Sequence, residues 1–442
     1  MGRDFIYRML AALILTVFIF TILGLAPSAS AQVEDQPSEV HLTWDHDDTA
    51  HTVVITWTTK YANSGDTIWY GTTSGGRDLT QYRYSMTGSH YAYPDVSEYY
   101  HEVELTDLTP DTLYYFTCGG VNGGYNIEHR FQTAPDRSTN ITFVAGGDSR
   151  TNPQMRDNIS REMATFNPSF VVYSGDAVDN GSIEEEWDNW FTGMDTYWVT
   201  KKANLTIPVI PALGNHEENA TLFYDQYGLP GNHQWFSLDW GPDLHLIVLD
   251  SYANPAGAER DWLESDLAGH MNTPWKVVFF HQPVFSGGEQ GSTVDLQEYW
   301  VPLFDKYHVD LVINGHDHDY ERTYPINFSI SKNSPVSGAE RGTIYIVSGG
   351  WGAPLYEGSP QWWSAYGPRP IYHFTLISID TQGTLNLKAI DKDGKIFDEY
   401  VIKKNPKMDR QSTSSSPLDL AVIGLTGIVV IVVLAYILKK KR

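Results

Sequence analysis

Six side chains of metal-binding type lie at or just beyond the ends of five apolar runs. Ile141-Thr142-Phe143-Val144-Ala145 leads to Gly146-Gly147-Asp148, and Phe170-Val171-Val172-Tyr173 leads to Ser174-Gly175-Asp176. Ile207-Pro208-Val209-Ile210 leads to Gly214-Asn215-His216-Glu217. Trp275 to Phe280 runs straight into His281, and Val309 to Ile313 ends at Asn314-Gly315-His316, with His318 two residues on. Carboxylate, amide oxygen and imidazole together suit Zn, Fe or Mn rather than Ca alone. Two such ions about 3.5–4 Å apart can share a bridging hydroxide and bind phosphate oxygens. Taken singly, each residue has an ordinary alternative. Asp148 and Asp176 could cap helices, Asn215 could belong to a turn, and His281, before Gln282-Pro283, could shape a loop. His316 and His318 are harder to explain that way: imidazoles two apart after a buried strand can point into one metal cluster.

The elements that must position these residues are legible from the same runs. Continuous apolar stretches are strands covered on both faces. Between them lie helical patterns, Glu259 to Leu267 with Trp262, Leu263 and Leu267 on one face, and Val294 to Tyr307. The region 139–402 therefore reads as an α/β domain with a layered sheet core flanked by helices. Strand ends in such a sheet converge on one edge, where ligands bind. Its last part, Gly342 to Ile402, is strand-rich, and Asp391-Lys392-Asp393-Gly394 marks a hairpin turn. A boundary falls at Thr133 to Ser138. Before it, 37–135 reads as an all-β sandwich of short strands: Thr52 to Trp57, Thr67 to Gly71, His101 to Leu105, Leu113 to Cys118 and His129 to Phe131. Its turn before Tyr114-Tyr115-Phe116 and its closing Phe131-Gln132-Thr133-Ala134-Pro135 resemble a fibronectin type III module, which speaks to fold and not to chemistry.

The motifs GDSR at 147, GDAVD at 175, GNHE at 214, FFHQP at 279 and GHDHDYER at 315 resemble, in order and spacing, the motif series of calcineurin-like metallophosphoesterases. The preceding sandwich and Tyr320-Glu321-Arg322 make the chain similar to purple acid phosphatases in particular, over about Val40 to Ile402. The resemblance implies a two-metal phosphoesterase in which Asp148 and His318 hold the first metal, Asp176 bridges, and Asn215, His281 and His316 complete the second. It implies attack by a metal-bound hydroxide, with His216 beside the phosphate as the acid that protonates the leaving oxygen. The metal pair, Fe, Zn or Mn, stays open.

Two positions depart from the pattern. Purple acid phosphatases carry Tyr three residues after the bridging Asp, and here that residue is Asp179; without a tyrosinate–iron(III) bond the protein is expected to be colourless. Asp179 could replace that ligand or serve the loop. Many relatives in the wider family have His two residues after the first Asp, and here that residue is Arg150. Arg150 could clamp a substrate phosphate through its planar fork, or form a salt bridge with Asp179 or Glu217. Around the site, Glu321 and Arg322 are expected to pair and brace the loop. His373 could approach the centre or be an ordinary strand histidine. Gly349-Gly350-Trp351-Gly352 could form a pocket wall, and Trp362-Trp363 could line its mouth or simply pack.

The ends and composition frame where such an enzyme would work. Arg3 and Arg8 flank an apolar run from Met9 to Leu25, followed by Ala29-Ser30-Ala31, the pattern of a signal peptide over 1–31. A polar, serine-rich stretch within 404–419 reads as a stalk. Leu420 to Leu438 is about 20 apolar residues, enough for a transmembrane helix, and the basic tail 439–442 prefers the cytoplasmic side. The expectation is a single-pass protein of the cell membrane with its catalytic domain outside. One cysteine, Cys118, excludes an intrachain disulfide, and its strand setting makes it a small core residue. A formal charge of −24 argues against nucleic acid as a standing partner. Asn140, Asn158, Asn180, Asn204, Asn219 and Asn327 each begin a glycosylation sequon.

The expected function is hydrolysis of small phosphate monoesters. Phosphodiesterase or nucleotidase activity is the alternative within the same chemistry. A cell-surface binding protein with a structural metal site is the alternative outside it.

Overall fold

A computed structural model describes residues 35–404 except 93–95, 218–220 and 338–341. The segments read as signal peptide, transmembrane helix and tail, and all of the stalk after residue 404, lie outside the described residues. Among those described, no helix is long and apolar enough to cross a membrane.

The N-terminal part is a β-sandwich. One sheet orders the strands Ser38–Thr43, Val53–Thr59, Tyr99–Leu105 and Ser89–Tyr91; the other is built on Thr67–Gly71 and Leu113–Gly120. Alternation sends Val53, Ile55 and Trp57 inward with Tyr114, Phe116 and Cys118, forming one core between the sheets. The sandwich is tied to the second domain by polar contacts. His41 bonds through Nε2 to the Gln226 carbonyl at 2.8 Å, and the Ser97 and Glu98 amides donate to Glu184.

The second domain stacks two sheets. The first runs Val209–Pro211, Val171–Tyr173, Ile141–Gly146, His373–Ile379, Thr384–Asp391, Ile396–Lys403. The second runs Phe236–Trp240, Leu244–Val248, Trp275–Phe279, Leu311–Asn314, Ile344–Ser348, Tyr320–Thr323, Ser364–Arg369. The apolar runs divide by parity. Val277, Phe279, Leu311, Ile313, Ile344 and Ile346 pack between the sheets. Val278, Val312 and Tyr345 face outward, onto helices that contribute Leu263, Leu267, Leu296 and Phe304. Both faces of each strand are thus covered, which is why these runs are mostly apolar. Three strands of the first sheet and four of the second are parallel, so their C-terminal ends open on one edge, where the six metal-type residues gather.

Two local expectations change, and one ordinary alternative falls away. The pattern Val294 to Tyr307 is two helices, Val294–Tyr299 and Val301–Tyr307, broken at Trp300; Pro302 sits in the first turn of the second, where its missing N–H costs nothing. Asp148 and Asp176 cap no helix; Asn152 caps Pro153–Thr165 through its side chain. Glu321 and Arg322 do not pair, because neighbours on the strand Tyr320–Thr323 point to opposite faces. Glu321 instead accepts from the Gly287 amide, and Arg322 grips Asp398 at 2.7 and 3.0 Å.

Candidate metal centre

Three of the six ligand candidates sit on backbone that disfavours most residues. Asp148, Asp176 and His316 all have left-handed φ, +60°, +60° and +72°, a conformation that costs a non-glycine residue about 1 kcal/mol or more. The turns close tightly around them. A Cβ on Gly175 would lie 2.6 Å from His281 Nδ1, and one on Gly315 would lie 2.4 Å from an Asp148 oxygen. The His316 amide donates to both Asp148 oxygens at 3.0 and 3.2 Å, and the His216 amide donates to Asp176 Oδ1 at 3.0 Å.

The rings are oriented by their outer nitrogens. His281 Nδ1 lies 2.7 Å from the Ser174 carbonyl, and His318 Nδ1 lies 2.6 Å from the Pro354 carbonyl. A carbonyl only accepts, so both Nδ1 atoms carry a proton and each Nε2 is turned inward as the atom that a proton or a metal can occupy. His281 Nε2 faces Asn215 Oδ1 at 3.2 Å and Asp176 Oδ1 at 3.4 Å. His316 Nδ1 lies 3.0 Å from Asn215 Oδ1 and 3.3 Å from His281 Nε2. On the other side, His318 Nε2 faces Asp148 Oδ1 at 3.3 Å. Asp148, Asp176, His281 and His318 are at most 1% exposed. Two carboxylates buried this close together call for positive charge beside them. The electrostatics show the same demand: burial lowers the affinity of His281 for a proton, but Asp176 and Asp148 outweigh it and raise the pKa to about 9. The donor set fits two metal ions, with Asp176, Asn215, His281 and His316 around one and Asp148, Asp176 and His318 around the other.

Three residues beside the ligands were not assigned these roles from sequence. Glu217, fully buried, accepts from the amides of Asp176, Ala177 and Gly214 at 3.0, 2.6 and 2.6 Å, fastening two ligand loops together. As the last letter of GNHE, its place in a motif was visible; its role was not. Tyr252 donates to Asn215 Oδ1 at 3.0 Å, and Tyr356 stacks on the His318 ring at 4.0 Å. Both come from loops with no sequence pattern that points to the site.

The remaining candidates sort by contact. Nδ1 of His216 lies 2.6 Å from the Asp179 carbonyl, which leaves Nε2, 3.9 Å from Asp176 Oδ2, to face the opening. Arg150 pairs with Asp179 at 2.8 Å, whereas Glu217 is occupied by backbone amides. His373 is a buried strand histidine, bonded to Ser348 and the Ile371 carbonyl; burial pushes its pKa down to about 4. Gly349 does allow close approach, to Asp317 and Asp148, but Trp351 is core. Trp362 and Trp363 pack against the outer core beside Phe285.

Comparison with known proteins agrees. Residues 37–133 match the model of the purple acid phosphatase N-terminal domain, and residues 145–320 match that of the calcineurin-like phosphoesterases. Together they cover more than half of the chain. The sandwich is therefore matched as the purple acid phosphatase N-terminal domain. Acid phosphatase type 7 of Homo sapiens is 26% identical over 423 residues, 85% of this chain and 91% of that one. Purple acid phosphatase 1 of Ipomoea batatas is 26% identical over 348 residues, 72% of each chain. An uncharacterized protein of Mycobacterium tuberculosis is 29% identical over 310 residues, and the match spans only 57% of its length. In fold, the chain is similar to purple acid phosphatase PPD1 from yellow lupin, with a TM-score of 0.71 and 20% identity, covering 84% of this chain and 75% of that one.

Proposed function

Because the chain belongs to the calcineurin-like phosphoesterases and carries the N-terminal domain of purple acid phosphatases, we propose that it hydrolyses small phosphate monoesters at a two-metal centre. The observation that carries the reading is the convergence of Asp176, Asn215, His281 and His316, whose side-chain oxygens and ring nitrogens lie 3.0–3.4 Å apart. When bound, the two cations supply Lewis acidity, neutralising charge on phosphate oxygens and acidifying water.

The chain's own residues do the rest. Ser174 and Pro354 hold the His281 and His318 rings so that their Nε2 atoms stay aimed inward. Glu217 keeps the Asp176 and Asn215 loops in register. His216, steadied at Nδ1 by the Asp179 carbonyl, presents Nε2 to the mouth, where a proton on that atom reaches a departing alkoxide. Arg150 and Asp179 stand at the same mouth and give it polar walls.

The test is hydrolysis of p-nitrophenyl phosphate against bis-p-nitrophenyl phosphate by protein stripped of metal and reloaded with Mn, Zn or Fe. Metal-dependent turnover faster on the monoester is expected. Faster diester turnover would move the reading to a phosphodiesterase, and bound metal without turnover of either would favour a binding protein.

We also place the enzyme outside the cell, held by 420–438, on the apolar patterns of the two termini. The full chain is then expected to stay with membranes through alkaline carbonate extraction and a chain ending at residue 404 to be released; an extractable full chain would refute the anchor.

A further inference from the structure

The two halves of the centre are unequally provided. The half made by Asn215, His281, His316 and Asp176 offers four protein donors. The half made by Asp148, Asp176 and His318 offers three, and beside it stands a cation belonging to the chain. Arg150 Nη2 points at His318 Nε2 at 3.5 Å, and Arg150 Nε lies 3.4 Å from Asp176 Oδ2. The side chain is only 11% exposed, and Nε has no hydrogen-bond partner. The guanidinium is anchored from outside by Asp179 at 2.8 Å.

An imidazole nitrogen has one in-plane lone pair. With Nδ1 of His318 committed to the Pro354 carbonyl, Nε2 has a single pair to give, and the Arg150 N–H already faces it. A metal ion that takes His318 as ligand must displace that contact, and it must do so against a fixed positive charge in a buried site. The other half carries no such competitor: the guanidinium turns to Thr151, Asp176, Asp179 and His318 and not to Asn215, His281 or His316.

From this geometry we infer that Arg150 and the first metal are alternative occupants of one subsite, so the chain fills its centre in order. The Asn215–His281–His316 half binds first and tightly. The Asp148–His318 half binds second and weakly, as the guanidinium swings toward Asp179 and the open mouth. Both departures of this chain from the family motifs, Arg150 in GDSR and Asp179 in GDAVD, serve this one device. The inference rests on the two-metal reading above.

Titrating metal-free protein with Mn2+, followed by calorimetry and electron paramagnetic resonance, tests it. The expected result is two separate binding phases, with an isolated-ion spectrum at one equivalent and a spin-coupled pair only at excess metal. In Arg150→Ala the weaker phase should tighten by about tenfold or more, with the tighter one unchanged. Thermal unfolding of the metal-free variant checks that it is folded, and the two phases of the unaltered protein are read independently of any variant. Two phases of equal affinity in the unaltered protein, or a weaker phase that Arg150→Ala leaves where it was, would overturn the inference while sparing the two-metal reading. No Mn2+, Zn2+ or Fe2+ bound to either protein would overturn both.

Discussion

Among the described residues of the second domain, two clusters of aspartate and histidine look alike by composition and differ in what their ring nitrogens face. In one, away from the strand-end edge, buried His245 lies 2.7 Å from Asp239 through Nδ1 and 2.8 Å from Asp266 through Nε2, and stacks on His270 at 3.6 Å. Both ring nitrogens face carboxylates, so the imidazole carries both protons and is itself the cation. Burial alone would lower its pKa, but the two hydrogen bonds and charges hold it above the ordinary 6.5. In the candidate metal centre, carbonyls accept from the Nδ1 atoms of His281 and His318, and their Nε2 atoms converge on the oxygens of Asp176, Asn215 and Asp148. The first cluster closes on a single imidazolium; in the second, the charge that raises the proton affinity of His281 is one that a bound metal would satisfy in the proton's place. A count of Asp and His in proximity would not separate them. The partner on the far side of each ring does.

That contrast can be broken most severely at Asp176, which serves both halves of the centre. Asp176→Asn should cut turnover by on the order of 10³-fold, because a neutral amide cannot bridge two cations, and should lower the metal content seen by elemental analysis. Retained turnover and metal would dismiss the bridge. Next, His216→Gln should lose about 10²-fold on an alkyl phosphate and much less on p-nitrophenyl phosphate, whose leaving group needs no proton; equal losses on both would deny His216 the acid role.

The self-contained cluster should fail differently. Asp266→Asn is expected to destabilise the fold by about 3 kcal/mol while metal content holds. The raised His245 pKa means its contribution is complete below pH 6.5 and is lost as pH rises through the folded-state value. Denaturant unfolding across that range should show the fall in the unaltered protein and a flatter profile in the variant. A metal content that drops in Asp266→Asn would erase the distinction between the clusters. The smallest effect is Tyr252→Phe, which removes one donor to Asn215 Oδ1. It should change metal affinity by about 1 kcal/mol, a few-fold; a loss a hundred times larger would make Tyr252 a ligand in its own right. Iron-loaded protein should also lack a tyrosinate charge-transfer band, which a visible spectrum checks.

The candidate ligand residues were legible because each follows a buried strand within a few residues, so the pattern that marks the strand also marks the turn after it. The parity of Val277, Val278 and Phe279, split between two cores, explains why those strands show no polar alternation to misread. What was not legible is what depends on partners far along the chain. The carbonyls of Ser174 and Pro354 orient the rings through backbone atoms that no residue type advertises. Tyr252 reaches Asn215 from a turn after Leu244–Val248. His373–Ile379 inserts beside Ile141–Gly146, and period-two alternation says nothing of which strand is neighbour. Two misreadings had visible signals: adjacent residues in a strand, as at Glu321 and Arg322, face apart, and Pro302 marks a new first helical turn.

The most direct test is a crystal of the metal-loaded protein, with anomalous diffraction at the metal edge. The predicted map has a peak about 2.0–2.2 Å from Asn215 Oδ1, His281 Nε2 and His316 Nδ1, shared with Asp176, and none between Asp239, His245 and Asp266. A peak at the His245 cluster with nothing at the strand-end edge would contradict the account.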